Sequence, residues 1–145
     1  MKARGIDLIK DIFDEIVVLY GARGGEDNSI FAGIGSIKGM AITFISQIRV
    51  LEYDKCNRAN YSMTLPDGYR KIIRLVRQGE RFHRPILLIV DTIGADPGEE
   101  SEKRGQAYRI AECMAELMNV RVPVISILCG AGGSGGAIAL CVADV

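Results

Sequence analysis

Between the apolar run Val124-Ile125-Ser126-Ile127-Leu128 and the apolar stretch Ala137 to Val142 lies Gly130-Ala131-Gly132-Gly133-Ser134-Gly135-Gly136, five glycines in seven residues. The segment reads as a strand, a tight turn and the start of a helix. Glycine tolerates positive φ and lets a ligand approach the backbone closely. A helix starting near Gly135 adds unpaired N–H groups and the positive end of its dipole. The structural alternative is that Gly132 to Gly136 only allow close packing of helix on strand. One glycine would favour that alternative; five between a buried strand and a helix favour a site that holds developing negative charge.

The rest of the chain supplies the frame. Ile6, Ile9, Phe13, Ile16 and Val17 fall at helical spacing, which predicts a helix over Asp7 to Tyr20. Gly21 to Asn28 reads as a loop. Two β-like runs follow, Ser29 to Ile37 and Met40 to Ile48, and the Lys38-Gly39 break predicts a hairpin. Arg49 to Leu65 has no clear pattern and reads as a mobile connection. Tyr69, Ile72, Ile73 and Val76 mark a helix over Asp67 to Phe82, entered at Pro66. Ile86 to Val90 is a continuous apolar run, as expected of a strand covered on both faces. Ala107, Ile110, Ala111, Met114, Leu117 and Met118 stripe a further helix over Glu100 to Met118.

Strand, helix, strand, helix implies parallel strands. A second loop, Asp91-Thr92-Ile93-Gly94-Ala95-Asp96-Pro97-Gly98, then opens on the same sheet edge as the glycine run, where α/β folds bind ligands. Amides from both loops are expected to converge on one oxygen, as in an oxyanion hole, where losing one donor costs about 3 kcal/mol of barrier.

Other chemistries fit less well. Gly130, Gly132 and Gly135 spell G-x-G-x-x-G, so a dinucleotide-binding domain is the more distant alternative, but no later strand supplies the acidic partner. No Gly-Lys-Ser/Thr follows, which excludes a Walker loop. Ser134 or Cys129 as a nucleophile needs a base, and His83 is the only histidine. Cys56, Cys113, Cys129 and Cys141 form no C-x-x-C pair, so no metal site is expected. Eighteen basic and eighteen acidic residues balance to zero net charge, against nucleic-acid binding. No apolar stretch is long enough to span a membrane, and a cytoplasmic protein is expected.

Several segments carry a family resemblance in order and spacing. They are Asn60 to Lys71, Asp91 to Gly98, Glu102-Lys103-Arg104-Gly105-Gln106, Val122-Pro123-Val124-Ile125 and Gly132 to Ala137, with Ile12 to Glu15, Tyr20-Gly21, the hairpin and Gln47 earlier in the chain. Together they resemble the α-subunit family of bacterial acetyl-CoA carboxylase carboxyltransferases, within the crotonase (ClpP-like) superfamily. The resemblance implies an α/β fold of the crotonase type, a partial β-β-α superhelix with parallel strands, an N-terminal helix and a β-hairpin. It implies carboxyl transfer from carboxybiotin, held on a biotin carboxyl carrier protein, to acetyl-CoA to give malonyl-CoA for fatty acid synthesis. It also implies a carboxyltransferase β subunit as partner, an oligomeric assembly and no metal in this chain. Carried over, Gly135, Gly136 and Ala137 supply helix-end amides and Gly94 and Ala95 lie in the opposing loop. Gly132, Gly133, Ser134 and Arg49 fall on the biotin side.

The sequence departs from the family pattern at several places. Ala131 stands where the family usually has glutamate, Ile93 where it usually has proline, and Asp96 where an aromatic is common. Arg49 to Cys56 departs from the family's basic, glycine-containing segment. The expectation is a single domain over 1–145 without the family's N-terminal extension and C-terminal part. A catalytically silent paralogue, acting as an interaction module, is the alternative within the same fold.

Overall fold

The computed structural model describes residues 4–21, 26–49 and 57–145. Cys56 and the Val50–Cys56 part of the patternless connection lie outside them. The elements are α1 (Arg4–Ile12), β1 (Glu15–Val18), β2 (Ile30–Ile37), β3 (Met40–Gln47), a 3-10 turn (Asn57–Ser62) and β4 (Met63–Thr64). Then come α2 (Pro66–Arg81), β5 (Ile86–Thr92), β6 (Gly94–Ala95), α3 (Glu99–Lys103), α4 (Gln106–Asn119), β7 (Val124–Gly132) and α5 (Ser134–Ile138).

The main sheet runs in the order β1-β2-β3-β5-β7, and β4 and β6 form a separate two-stranded sheet. β1, β2 and β3 are antiparallel, whereas β3, β5 and β7 are parallel. Every residue of β5 is buried, because helices cover the central strand on both faces. On one face Ile9 of α1 and Phe13 just beyond it pack against Phe44, Leu87 and Ile89. On the other, Tyr69, Ile72, Leu75 and Val76 of α2 and Cys113 and Leu117 of α4 pack on Ile45, Leu88 and Val90. No described helix is long and apolar enough to cross a membrane.

The expected hairpin forms with a two-residue turn, Lys38 and Gly39 at φ 50° and 81°. The expected helix to Tyr20 is corrected: α1 ends at Ile12 and Glu15–Val18 is a strand against Gly33–Ser36. Ile16 satisfies a two-residue period with Val18 as well as the helical one, and their β-branched side chains favour the strand. The expected helix over Glu100 to Met118 is also corrected. It breaks into α3 and α4 at Gly105, which takes the left-handed conformation at φ 83°. From Asn57 the connection read as mobile is ordered: Asn60 Nδ2 donates to the Met63 carbonyl and to Asp96, and β4 pairs with β6.

Candidate active site at the carboxyl edge of the sheet

β5 and β7 are parallel neighbours, so the two loops do open side by side. The boundary differs from the sequence expectation. Gly130, Ala131 and Gly132 belong to β7, Gly133 caps the helix, and α5 begins at Ser134, one residue ahead of the expected Gly135. The strand continues because Gly132 still pairs with Thr92.

Backbone contact between the loops explains two of the glycines. A Cβ on Gly133 would lie 2.0 Å from the Ile93 carbonyl oxygen, and one on Gly136 would lie 2.4 Å from the Gly94 carbonyl carbon and 2.6 Å from the Ala95 nitrogen. The packing alternative is therefore real at these positions. It also brings the Gly94-Ala95 peptide directly onto the head of α5, which an amide site requires.

The amides divide into occupied and available ones. The Thr92 hydroxyl accepts from the Gly94 amide at 3.0 Å, and the Gly133 amide donates to the Thr92 carbonyl at 3.0 Å. Ala137 donates to the Gly133 carbonyl at 3.1 Å as the first bond of the helical ladder, which leaves Ser134, Gly135 and Gly136 ahead of that ladder. The Asp96 amide bonds the Thr64 carbonyl at 3.1 Å. Successive strand amides point to opposite edges, so that of Ala95 points away from β4. Of the expected donors, Gly94 and Ala137 spend their amides within the fold, while Gly135 and the buried Gly136 stand ahead of the helical ladder.

Side chains frame this edge. Asp91, 1% exposed, accepts from the Ala131 amide at 2.9 Å, and Arg49 Nη1 stands 3.8 Å from the same oxygen. Arg49 thus reaches the expected edge, beside a buried carboxylate. Asp96 accepts from Asn60 Nδ2 (3.0 Å), the Ser101 hydroxyl (2.6 Å) and the Gly98 amide (3.1 Å). Burial alone would raise its pKa, but the hydrogen bonds from Ser101, Asn60 and Gly98 together hold it below the ordinary value. Asp96 thus fastens the loop between β6 and α3.

Ser134 is exposed and left-handed at φ 54°, the geometry of a presented turn residue. His83, however, precedes β5, whose seven residues put it on the order of 20 Å away at the opposite sheet edge. No Ser–His pair forms. The Cys113 thiol is pushed up to about 12 by burial and by Glu112 and Glu116, so it is inert. In the G-x-G-x-x-G reading Gly130 and Gly132 should form a turn, yet both are within β7 and the Asp91 carboxylate fills the space beside Gly130.

Asp91 is the functional-edge residue for which sequence reasoning assigned no role. Its signal was an acidic residue directly after five apolar ones.

A parallel sheet extended by a hairpin, a small second sheet whose strand β6 directly follows β5, and a glycine run opening a helix at the carboxyl edge define a crotonase-type α/β fold. The chain matches the transcarboxylase 12S core, a hexamer solved with methylmalonyl-coenzyme A and methylmalonic acid bound, at TM-score 0.81 over 97% of this chain and 26% of that one. At 17% identity that likeness establishes the fold. The chain belongs to the acetyl co-enzyme A carboxylase carboxyltransferase-like family, whose model matches residues 2–145. It is 42% identical over 140 residues to the acetyl-coenzyme A carboxylase carboxyl transferase subunit alpha of Halalkalibacterium halodurans, covering 96% of this chain and 43% of that protein. It is also 42% identical over 140 residues to the carboxyl transferase subunits beta/alpha of Clostridium tetani, covering 96% of this chain and 24% of that protein. The chain thus spans less than half the length of either relative.

Proposed function

We propose that this chain forms the α side of a biotin-dependent carboxyltransferase, moving a carboxyl group from carboxybiotin to acetyl-CoA to give malonyl-CoA. The observation that carries the reading is the backbone contact of Gly94-Ala95 with Gly136, made in a chain of this family. As the N–C bond to the carboxyl group breaks, its electron pair returns to biotin's ureido group and the ureido oxygen becomes negative. Amides of Ala95, Gly135 and Gly136 stabilise that oxygen more strongly in the transition state than before it. The ureido nitrogen then takes a proton from the acetyl-CoA methyl group, and the resulting carbanion forms the new C–C bond to carbon dioxide. No side-chain nucleophile is needed.

Gly132, Gly133, Ser134 and Arg49 would line the biotin side. The fused beta/alpha relative supports a β-subunit chain as partner, which would hold coenzyme A in an oligomeric assembly. The biotin carboxyl carrier protein as donor, the cytoplasm as setting, and a single domain over 1–145 complete the proposal.

The test combines the chain with a carboxyltransferase β subunit and follows biotin-dependent malonyl-CoA decarboxylation, the reverse reaction. Turnover that Gly136→Val abolishes is expected. A stable complex with no turnover would replace this reading with that of a silent interaction module, which Ala131 in place of the family's glutamate favours. Tight NAD binding by calorimetry would overturn both.

A further inference from the structure

We propose that Gln47 and Asp91 are positioning residues that hold the two ends of the glycine run, so that the amides at the head of α5 stay aimed at the ureido oxygen. This rests on the oxyanion reading above. Gln47 closes β3 and is 1% exposed. Its Nε2 donates to the Gly136 carbonyl at 2.9 Å, reaching past β5, which lies between β3 and β7. Turning the amide over would set oxygen against oxygen, so the donor orientation is fixed.

The bond replaces one the helix does not make. Ala139 donates to Gly135, but Leu140 donates to Ala137 rather than to Gly136, so the Gly136 carbonyl takes its donor from a side chain 89 residues away in sequence. The head of α5 is thereby tied to the hairpin strand.

Asp91 acts at the other end and from the other face. Val90, in register with Leu128, packs with Ile45 in one core; Ile89 packs in the other, and strand alternation puts Asp91 on the Ile89 side. Between the pairs Val90–Leu128 and Thr92–Gly132, β7 has three residues, Cys129, Gly130 and Ala131, opposite Asp91 alone. The carboxylate fills this bulge: it accepts from the Ala131 amide, and a Cβ on Gly130 would lie 2.0 Å from its Oδ1. Arg49, at 3.8 Å, offsets the buried charge. A segment with five glycines in seven residues has more backbone freedom to lose than any other in the chain. Two buried side chains, one per face, fix it at Ala131 and Gly136.

The test uses the chain with its β-subunit partner and, in parallel, amide hydrogen exchange on the chain itself. Gln47→Leu should lower kcat about 100-fold, as expected for donors displaced by an ångström, with KM for malonyl-CoA nearly unchanged. Exchange should quicken at Ala137 and Ala139, whose amides bond the Gly133 and Gly135 carbonyls, and remain as in wild type in the β2–β3 hairpin. Gln47→Glu gives the diagnostic profile: its neutral form donates O–H to the Gly136 carbonyl and its ionised form repels it, so kcat relative to wild type should rise as pH falls. Asp91→Asn keeps an acceptor for Ala131 and should retain more activity than Asp91→Ala. Wild-type kcat in Gln47→Leu, or protection lost evenly across the sheet, would overturn the positioning role. A wild type without biotin-dependent turnover would overturn the function reading, and the exchange pattern would still decide this one.

Discussion

At the hairpin, a Cβ added to Gly39 would meet nothing within 4 Å, whereas at Gly136 it would lie 2.4 Å from the Gly94 carbonyl carbon. Gly39 is needed for its φ of 81°. Gly136 is needed for room. The two positions also lie at opposite edges of the sheet, because the hairpin turn starts β3 and the glycine run ends β7. Glycine in one place solves a local conformational problem; in the other it lets two loops touch through their backbones. Only the second brings amides from distant segments together, and that is the property catalysis by an amide pocket uses.

The largest expected effect is at Gly136. Gly136→Ala pushes a methyl into backbone that cannot rotate away, and the urea midpoint should report a loss of about 3 kcal/mol, at the upper end for overpacking. Retention of wild-type stability would show that the Gly94-Ala95 strand yields easily. The next effect is at Asp96, whose folded pKa is lowered. Its contribution is present above the unfolded value, near pH 4, and lost as pH falls through the folded one. Asp96→Ala should therefore cost about 1–2 kcal/mol at neutral pH and progressively less in acid. A pH-independent difference would mean that the side chain acts through packing alone.

The smallest effects belong to the hairpin. Gly39→Ala should cost about 1 kcal/mol through left-handed strain. Lys38→Asn, at a φ of 50° that asparagine tolerates better, should gain about 0.5 kcal/mol. Thermal unfolding reads both, and neither should alter turnover with the β subunit.

The same contrast explains what was legible in the sequence. The hairpin, α2 and the body of β5 were readable because local chemistry decides them: Lys38-Gly39 for the turn, Pro66 for the helix start, Ile86 to Val90 for the buried strand. The boundary at Ile12 was not, since Ile16 obeys both periods and only pairing with Gly35 selects the strand. The helix expected from Glu100 likewise ran on through Gly105, whose left-handed turn divides α3 from α4. At the candidate site, the glycine run and the Asp91–Gly98 loop were both legible, along with the sheet edge on which they open. Which amides are available was hidden, because it depends on Thr92 accepting from Gly94 and on the ladder phase set by Thr64. The role of Asp91 was hidden for a related reason: a bulge exists only relative to the strand beside it.

The most direct measurement places Gly136→Ala and Gly39→Ala in one assay with the β subunit, following biotin-dependent malonyl-CoA decarboxylation at a temperature where both variants remain folded. The account predicts that Gly39→Ala turns over like wild type and Gly136→Ala does not turn over measurably. Equal turnover in the two variants would contradict it.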